Sequence, residues 1–183
     1  VKRTARPITA QYLQNAATFY LERYASSAEG LRRVLRRRVA KAKMLDAPIM
    51  DDVEEAIEAV VQRFISAGLL DDKAFAQTKA RALHRRGASN RLTRQRLQAA
   101  GVDPETLDEA MAGLDEGVGG GPRPRGWTAA AAAARRRRIG PFRAEDRTPH
   151  PARDLASLAR AGFPYDLAIK LIDAENPDAL DEA

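Results

Sequence analysis

A helix-ending pattern recurs along this sequence at a nearly constant interval. Leu97-x-x-x-Gly101-Val102 and Leu158-x-x-x-Gly162-Phe163 are offset by 61 residues, and in both places a proline that can begin a helix follows. Leu35-x-x-x-Val39 lies 62 residues before the first of them and lacks the glycine. Repeats of this length hold a few short helices that cannot bury a core alone, so neighbouring repeats must share faces. The pattern predicts an all-α fold of three tandem degenerate three-helix repeats that form an elongated, curved array.

The composition agrees with this prediction. Aromatic residues make up 5% of the chain, β-branched runs are scarce, and alanine, leucine, arginine and glutamate dominate, which favours helix. The absence of cysteine excludes disulfides and thiolate zinc sites. No apolar run approaches the roughly 18 residues of a membrane span, and the first residues lack the apolar core of a signal peptide. We therefore expect a soluble, cytoplasmic protein.

Glycines, prolines and capping residues indicate the boundaries between the repeats. The run from Gly117 to Gly126 is rich in glycine and proline, which is typical of a linker, and acidic residues crowd the last positions of the chain. The expected organisation is a flexible N-terminus at 1–8, repeat 1 at 9–70, repeat 2 at 71–116, the linker at 117–126, repeat 3 at 127–174 and an acidic tail at 175–183.

The junction between repeats 1 and 2 is the most closely specified turn. Gly68 follows an amphipathic helix, at the position where a left-handed residue ends a helix and a Cβ is costly. We expect Leu69 and Leu70 to fold back over that helix, and Asp71 or Asp72 to cap the next one. One helix thus ends and another begins within a few residues.

Serine and acidic residues predict caps at other helix starts. Ser26 with Glu29, and Asp51 with Glu54, have the spacing of a capping box, in which two side chains satisfy two free backbone N–H groups. Ser89 is expected to cap the fifth helix.

We assign the large aromatic side chains to packing between helices. Phe19 and Tyr24 lie on the predicted inward face of the first helix. Trp127, Phe142 and Tyr165 have the chemistry of recognition residues, but the core of a small helical repeat is the more typical place for them.

Residues with catalytic or metal-binding chemistry are scarce and scattered. His84 and His150 lie in different repeats, and we expect His84, beside two arginines, on an exposed basic face. The paired carboxylates sit at helix starts, where capping accounts for them, and no further oxygen ligands converge on them. We therefore expect no catalytic residue, no metal and no cofactor, and we interpret the chain as a protein that is not an enzyme.

Arginine is the informative residue type. The net charge is +6, and a basic run occurs in each repeat. Like charges at helical spacing repel one another, so basic runs in all three repeats favour an anionic partner over merely solvated faces. The planar guanidinium suits carboxylates and phosphates alike. The candidate partner-binding residues are Arg32, Arg33, Arg36, Arg37, Arg85, Arg86, Arg91, Arg94, Arg135, Arg136, Arg137, Arg138 and Arg143.

Several of these segments resemble the RecX family of bacterial regulators. Gly-Leu-Leu-Asp-Asp-x-x-Phe-Ala at 68–76 is the most specific, and it follows a basic helix that contains Leu31-Arg-Arg-Val-Leu35-Arg-Arg-Arg. Arg-Arg-x-Gly-Pro-Phe-Arg at 137–143 and Ala-Gly-Phe-Pro-Tyr-Asp at 161–166 extend the resemblance into repeat 3. It implies a non-enzymatic regulator that binds the RecA recombinase in the groove of its DNA-bound filament. It further implies inhibition of filament growth, ATP hydrolysis and strand exchange.

The residues themselves leave two other interpretations open. A free-standing DNA-binding protein could use a helix-turn-helix made from the fourth and fifth helices, and a helical scaffold could bind an acidic protein without nucleic acid. On the RecX interpretation, the partners are the RecA filament and DNA phosphates within or beside it, and we expect a monomer that does not bind membranes.

Overall fold

The computed structural model describes residues 6–114, 126–144 and 147–174. Residues 1–5 of the predicted flexible N-terminus, 117–125 of the predicted linker and the predicted acidic tail at 175–183 lie outside this part of the chain. The described residues form nine α-helices and one short 3-10 turn at Gly140–Phe142, and they contain no strand, so the all-α prediction is confirmed. The helices are α1 (Ala10–Leu21), α2 (Ala28–Lys43), α3 (Val53–Ser66), α4 (Asp72–Arg85), α5 (Asn90–Ala99), α6 (Pro104–Ala112), α7 (Trp127–Arg137), α8 (Pro151–Arg160) and α9 (Tyr165–Ile172).

The described residues belong to two compact units. Unit 1 comprises 6–76 and 100–103, and unit 2 comprises 77–99, 104–114, 126–144 and 147–174. Each unit contains its own hydrophobic cluster.

Helices α1, α2 and α3 pack on one another in unit 1. Leu13, Leu31, Leu35, Ile57 and Val61 are almost completely buried between them. Within each helix the buried residues recur at three- or four-residue spacing, which places their side chains on one face. Burial of each such side chain contributes about 1.5–3 kcal/mol, so the three helices are held together chiefly through these faces.

In unit 2, α7, α8 and α9 surround a second core. Leu158, Leu167 and Leu171 are almost completely buried in it, together with four alanines of α7. Because alanine has no side chain beyond Cβ, α7 can approach its neighbours closely. Helix α5 packs against α6 in the same unit, and Leu97 and Leu107 are buried there.

Five helices end in the same turn. After α2, α3, α4, α7 and α8, the N–H groups of a left-handed residue and of its successor bond back to carbonyl groups in the last turn of the helix. Glycine occupies the left-handed position at Gly68 (φ 69°), Gly87 (φ 73°) and Gly162 (φ 88°), whereas Asp46 (φ 52°) occupies it after α2 and Arg138 (φ 56°) after α7. The left-handed conformation predicted for Gly68 is confirmed.

The residues that follow Gly68 depart from the prediction in one side chain. Leu70 is buried, as predicted, but Leu69 is 64% exposed. The N–H groups of both leucines bond to the carbonyl oxygen of Phe64, at 2.9 and 3.1 Å. The backbone therefore turns tightly around the carbonyl group of Phe64, and only the side chain of Leu70 reaches the core.

Two neighbouring aspartates cap two different helices. Asp71 accepts a hydrogen bond from the N–H of Ala74 (2.9 Å) and caps α4. Asp72 accepts one from the N–H of Ala28 (2.7 Å) at the start of α2. A carboxylate is favoured at the positive end of a helix dipole, so Asp72 joins two segments of unit 1 that are distant in the sequence.

The predicted capping box at the start of α2 is wrong. Ser27, not Ser26, is the N-cap, since its hydroxyl accepts a hydrogen bond from the N–H of Gly30 at 3.0 Å. Glu29 pairs with Arg33, at 3.1 Å. A guanidinium forms stronger hydrogen bonds with a carboxylate than a backbone N–H does, so Glu29 turns toward the arginine.

The predicted box at the start of α3 is wrong for the same reason. Asp52 precedes the helix instead of Asp51, and it makes no side-chain cap hydrogen bond. Glu54 points to Arg36 of α2, at 2.9 Å.

The same serine contact occurs once in each unit. In unit 1, the hydroxyl of Ser27 donates to the carbonyl oxygen of Ala100, at 2.5 Å. In unit 2, the hydroxyl of Ser89 donates to the carbonyl oxygen of Ala161 (2.8 Å) and accepts from the N–H of Leu92 (3.3 Å). The cap predicted for Ser89 is confirmed, and both serines are 1% exposed.

A left-handed glycine follows each carbonyl group that accepts from these serines. A Cβ on Gly101 (φ 79°) would lie 2.4 Å from Cγ of Glu29, and a Cβ on Gly162 would lie 2.7 Å from Oγ of Ser89. Gly101 and Gly162 are the glycines of the repeated Leu-x-x-x-Gly pattern in the sequence. Glycine is required there because the backbone is left-handed and because a Cβ would collide with the neighbouring side chain.

The inward orientation predicted for Phe19 and Tyr24 is wrong. Phe19 is 54% and Tyr24 58% exposed. Helix α1 ends at Leu21, so Tyr24 lies beyond it. The guanidinium of Arg23 lies 3.7 Å from the ring centroid of Phe19, and this cation–π contact holds the ring at the surface.

The aromatic residues assigned to the core of repeat 3 have different environments. Trp127 is buried and Phe142 packs against the unit 2 core, as predicted. Tyr165 is 69% exposed, which contradicts the prediction. It begins α9, and the core-facing positions of that helix are occupied by Leu167 and Leu171.

His84 is buried, contrary to the prediction of an exposed basic face. It follows Ala80 by four residues on α4 and therefore shares the buried face of that helix.

We predict that alanine substitutions distinguish two kinds of helix-ending glycine. Gly68→Ala should destabilise the protein by about 1 kcal/mol, because a Cβ there meets no atom within 4 Å and only the positive φ is unfavourable. Gly87→Ala should cost about 2–4 kcal/mol, since its Cβ would also lie 2.6 Å from the backbone nitrogen of Ala133. Urea unfolding of the two variants measures both changes. Equal losses would show that the close approach at Gly87 is not a constraint.

Candidate anion-binding surface

The candidate arginines fall into two groups, those held by ion pairs and those without them. The ion-paired residues are Arg32, Arg33, Arg36, Arg94 and Arg143. Their guanidinium groups satisfy carboxylates of the chain itself, which makes them less available to a partner.

Two arginines of α2 connect this helix to α3. Arg32 donates two hydrogen bonds to the carboxylate of Glu58, both at 2.7 Å. One turn further along, Arg36 donates to Glu54 at 2.9 Å. The paired charges lie four residues apart on each helix, so they align along the contact between α2 and α3. The basic run of α2 is thus partly a structural feature of unit 1.

The Arg32–Glu58 pair changes the acidity of both groups. The hydrogen bonds from Arg32, and then one from Gln62, lower the pKa of Glu58 to about 2. The hydrogen bond to Glu58 is also the main cause of the raised pKa of Arg32. Both shifts favour the charged forms, so the pair stabilises the packing of α2 on α3 at neutral pH.

Two ion pairs of candidate arginines lie in the described part of unit 2. Arg94 of α5 and Asp108 of α6 are 2.5 Å apart at the surface. Arg143 pairs with Asp154 of α8, and the two side chains are only 15% and 14% exposed. Removal of one partner from a buried pair leaves an uncompensated charge, so Arg143 serves to hold the segment after α7 against α8.

The C-terminal ends of α4 and α7 meet in unit 2. The guanidinium of Arg136 donates to the backbone carbonyl oxygen of Arg86, at 2.5 Å. Gly87 lies so close to α7 that a Cβ on it would be 2.6 Å from the backbone nitrogen of Ala133. Two basic runs that are about 50 residues apart in the sequence therefore form one surface.

The second group of arginines makes no ion pair with any described residue. Within the described part of the chain, no ion pair or side-chain hydrogen bond holds the guanidinium groups of Arg37, Arg85, Arg86, Arg91, Arg137 and Arg138. Arg135 lies over the ring of Phe142, with its guanidinium carbon 5.0 Å from the centroid. We name the residues at the meeting point of α4 and α7 the α4–α7 arginine cluster; they are Arg85, Arg86, Arg136, Arg137 and Arg138.

Lys79 is a further basic residue of unit 2, which the sequence analysis did not assign to the site. Burial, and after it the positive charge of Arg96, lowers the pKa of Lys79. Burial has the larger effect, and the smaller one shows that Lys79 of α4 and Arg96 of α5 are close enough for their positive charges to disfavour each other.

The arrangement has the chemistry to bind anions. Guanidinium groups provide charge and fixed hydrogen-bond donors, and they do not exchange protons at physiological pH. No three acidic or histidine side chains form a potential metal site among the described residues. No described helix is long and apolar enough to cross a membrane.

The sequence analysis identified the basic runs but missed that two of them converge. The convergence depends on the close approach of Gly87 to the alanine-rich helix α7. A left-handed glycine at the end of one helix and a run of alanines in another are sequence features that permit such an approach, but they do not specify which two elements meet.

Proteins with similar sequences and folds are known. The profile of the second three-helix domain of RecX matches residues 71–111. The chain is 38% identical over 174 residues to the regulatory protein RecX of Myxococcus xanthus (strain DK1622), and this match covers 94% of this chain and 89% of that protein. It is 31% identical over 147 residues to the regulatory protein RecX of Thermobifida fusca (strain YX), and this match covers 79% of this chain and 75% of that protein.

A solved structure shares the fold. The crystal structure of RecX from Lactobacillus salivarius superposes with a TM-score of 0.62 over 95% of this chain and 97% of that chain, at 19% sequence identity. The fold is all-helical among the described residues, and the relatives named above define the class of regulatory proteins to which the chain is similar. The chain belongs to the RecX family, and the resemblance noted in the sequence is confirmed.

We predict that the Arg32–Glu58 pair makes stability depend on pH in the acid range. The pKa of Glu58 is lowered from 4.5 to about 2 by folding, so its contribution is complete above about pH 4.5 and is lost as the pH falls toward 2. Because both side chains are partly exposed, the contribution should be about 0.5–1 kcal/mol.

Urea unfolding of the wild type and of Glu58→Gln, at neutral pH and at successively lower pH, measures this contribution. The difference in the free energy of unfolding between the two proteins should become smaller as the pH falls from about 4.5 toward 2. A difference that stays constant as the pH falls would contradict the assigned pairing.

Proposed function

We propose that this protein binds the RecA recombinase on its DNA-bound filament and inhibits filament growth, ATP hydrolysis and strand exchange. Membership of the RecX family carries the proposal, because the relatives bear the name regulatory protein RecX. The protein acts by binding and catalyses no reaction itself. The unpaired arginines support this mode of action, since a filament of protein on DNA offers both carboxylates and phosphates to guanidinium groups.

We assign the partner contacts to the arginines without ion pairs. Arg37 of unit 1 and the α4–α7 arginine cluster of unit 2 are the principal candidates. Arg32, Arg36 and Arg143 remain candidates of lower rank, because their ion pairs already serve the packing of the helices.

The three-repeat organisation is part of the proposal. We place repeat 1 at 9–70, repeat 2 at 71–116 and repeat 3 at 127–174. The match of residues 71–111 to the second three-helix domain of RecX supports the start of repeat 2.

We predict that charge reversal at Arg37 weakens inhibition without unfolding the protein. Arg37 is exposed on α2, so Arg37→Glu should change the free energy of unfolding by about 0.5 kcal/mol or less. Loss of a charge-assisted contact at an interface typically costs about 2–5 kcal/mol. The measurement is a titration of the DNA-dependent ATP hydrolysis of RecA with wild type and variant.

Two controls accompany this titration. Lys170→Glu makes the same charge change at an exposed position of α9, and it should inhibit like the wild type. Arg32→Ala removes a paired arginine of the same helix. It should lower the free energy of unfolding and leave the inhibition of RecA close to that of the wild type. Equal inhibition by Arg37→Glu and wild type would remove Arg37 from the interface.

The wild-type titration also tests the proposed function itself. Failure of the wild type to inhibit RecA, combined with tight binding to naked DNA, would favour a free-standing DNA-binding protein. Turnover of ATP or DNA by the purified protein would contradict a purely binding role.

A further inference from the structure

We infer that the α4–α7 arginine cluster binds the phosphate backbone of DNA, and that Arg138 keeps an unfavourable backbone conformation in order to make this contact. The inference deepens the proposed function, on which it rests for the presence of DNA beside the protein. It assigns one chemical class of partner to one surface of unit 2.

The backbone of Arg138 provides the first argument. Arg138 has φ 56° and ψ 51°, in the left-handed region, which costs about 1–2 kcal/mol for a residue with a Cβ. Its N–H bonds to the carbonyl oxygen of Arg135, and the next N–H bonds to that of Ala134. The turns at Gly68 and Gly162 have the same two hydrogen bonds with glycine in the left-handed position, and the turn after α2 has them with Asp46. Glycine has no Cβ and aspartate has a short polar side chain that tolerates this conformation, but arginine has neither property. Helix geometry alone therefore favours glycine at 138, and the arginine needs another reason.

The helix dipole does not supply that reason. Cations in the last turn of a helix are favoured by the negative end of its dipole, which accounts for Arg135, Arg136 and Arg137. A lysine or arginine in that last turn already provides this benefit without a positive φ. The charge at Arg138 is thus additional to what helix α7 requires.

The surroundings of Arg138 provide the second argument. Arg136 reaches the carbonyl group of Arg86, so the basic ends of α4 and α7 lie side by side. Within the described residues, no carboxylate pairs with Arg85, Arg137 or Arg138. Like charges brought together by folding repel one another, and a polyanion such as a phosphodiester backbone compensates them.

The distribution of exposed apolar side chains favours DNA over a protein partner for this surface. Interfaces between proteins depend on buried aromatic and aliphatic anchors, whereas phosphate contacts need only charge and donors. Tyr165 is the one exposed large apolar residue described in unit 2. Unit 1 exposes Phe19, Tyr24, Met44, Leu45, Ile65 and Leu69. Unit 1 thus has the side chains that suit a protein partner, and unit 2 has those that suit phosphates.

Three substitutions at one position separate backbone strain from charge. Arg138→Gly removes both, Arg138→Ala removes the charge and keeps the positive φ, and Arg138→Lys keeps both. We expect Arg138→Gly to raise the melting temperature by roughly 2–4 °C, because the strain is relieved. Arg138→Ala and Arg138→Lys should melt close to the wild type.

Binding to a short fluorescein-labelled DNA duplex, measured by anisotropy at several salt concentrations, gives the second readout. We expect Arg138→Gly and Arg138→Ala to lose affinity by about tenfold, as for a charge-assisted contact. The slope of log K against log salt should fall by about 0.9 for the lost phosphate. Arg138→Lys should retain most of the affinity. Lys170→Ala, which removes an exposed positive charge from α9 outside the cluster, is the control and should bind the duplex like the wild type.

The outcomes distinguish this inference from its alternatives and from the proposed function. Unchanged DNA affinity and salt slope in Arg138→Gly, or no DNA binding by the wild type, would overturn the inference. Loss of RecA inhibition without loss of DNA affinity, with polyglutamate competing for the wild type, would assign the cluster to an acidic protein surface instead. Loss of DNA affinity in a protein that never inhibits RecA would leave the inference intact and refute the proposed function.

Discussion

Both units depend on helices that end abruptly in a left-handed residue. The turn bonds two consecutive N–H groups back to the helix that has just ended, so the chain reverses within a few residues without leaving buried donors unsatisfied. Glycine makes the turn possible at Gly68, Gly87 and Gly162. At Gly87 it also lets α7 come close, and that approach brings two basic helix ends together. A conformational requirement of single residues therefore determines where charge accumulates in unit 2.

The parts of the fold that could be predicted from the sequence depend on local chemistry. The left-handed turn at Gly68 and the cap at Ser89 involve only residues near in the chain, and both are confirmed. The orientation of Leu69, His84 and Tyr165 could not be predicted, because it depends on which neighbouring helix occupies each face. An amphipathic pattern indicates that a face is buried, but at its edges it does not specify which side chains are covered.

The sequence predicted which arginines are candidates for the site, but it did not predict which of them are held in ion pairs or brought together by the fold. A basic run on α2 has the same sequence pattern whether its charges are free or paired. Arg32 and Arg36 meet carboxylates of α3, whereas Arg37 meets none within the described residues. The difference arises from the antiparallel packing of α2 and α3. The same competition explains why Glu54 pairs with an arginine instead of closing a capping box.

The serine contacts have a consequence for how the repeats can associate. In the proposed repeats, each contact joins a serine before the second helix of one repeat to the carbonyl group that precedes a glycine at the end of the second helix of the next. Repeat 1 has Val39 at the glycine position, and α2 continues through it to Lys43. Repeat 3 has His150 at the serine position, without a side-chain cap hydrogen bond. Among the described residues, the end of α2 therefore has no glycine, and the start of α8 no serine, for a further contact of this kind.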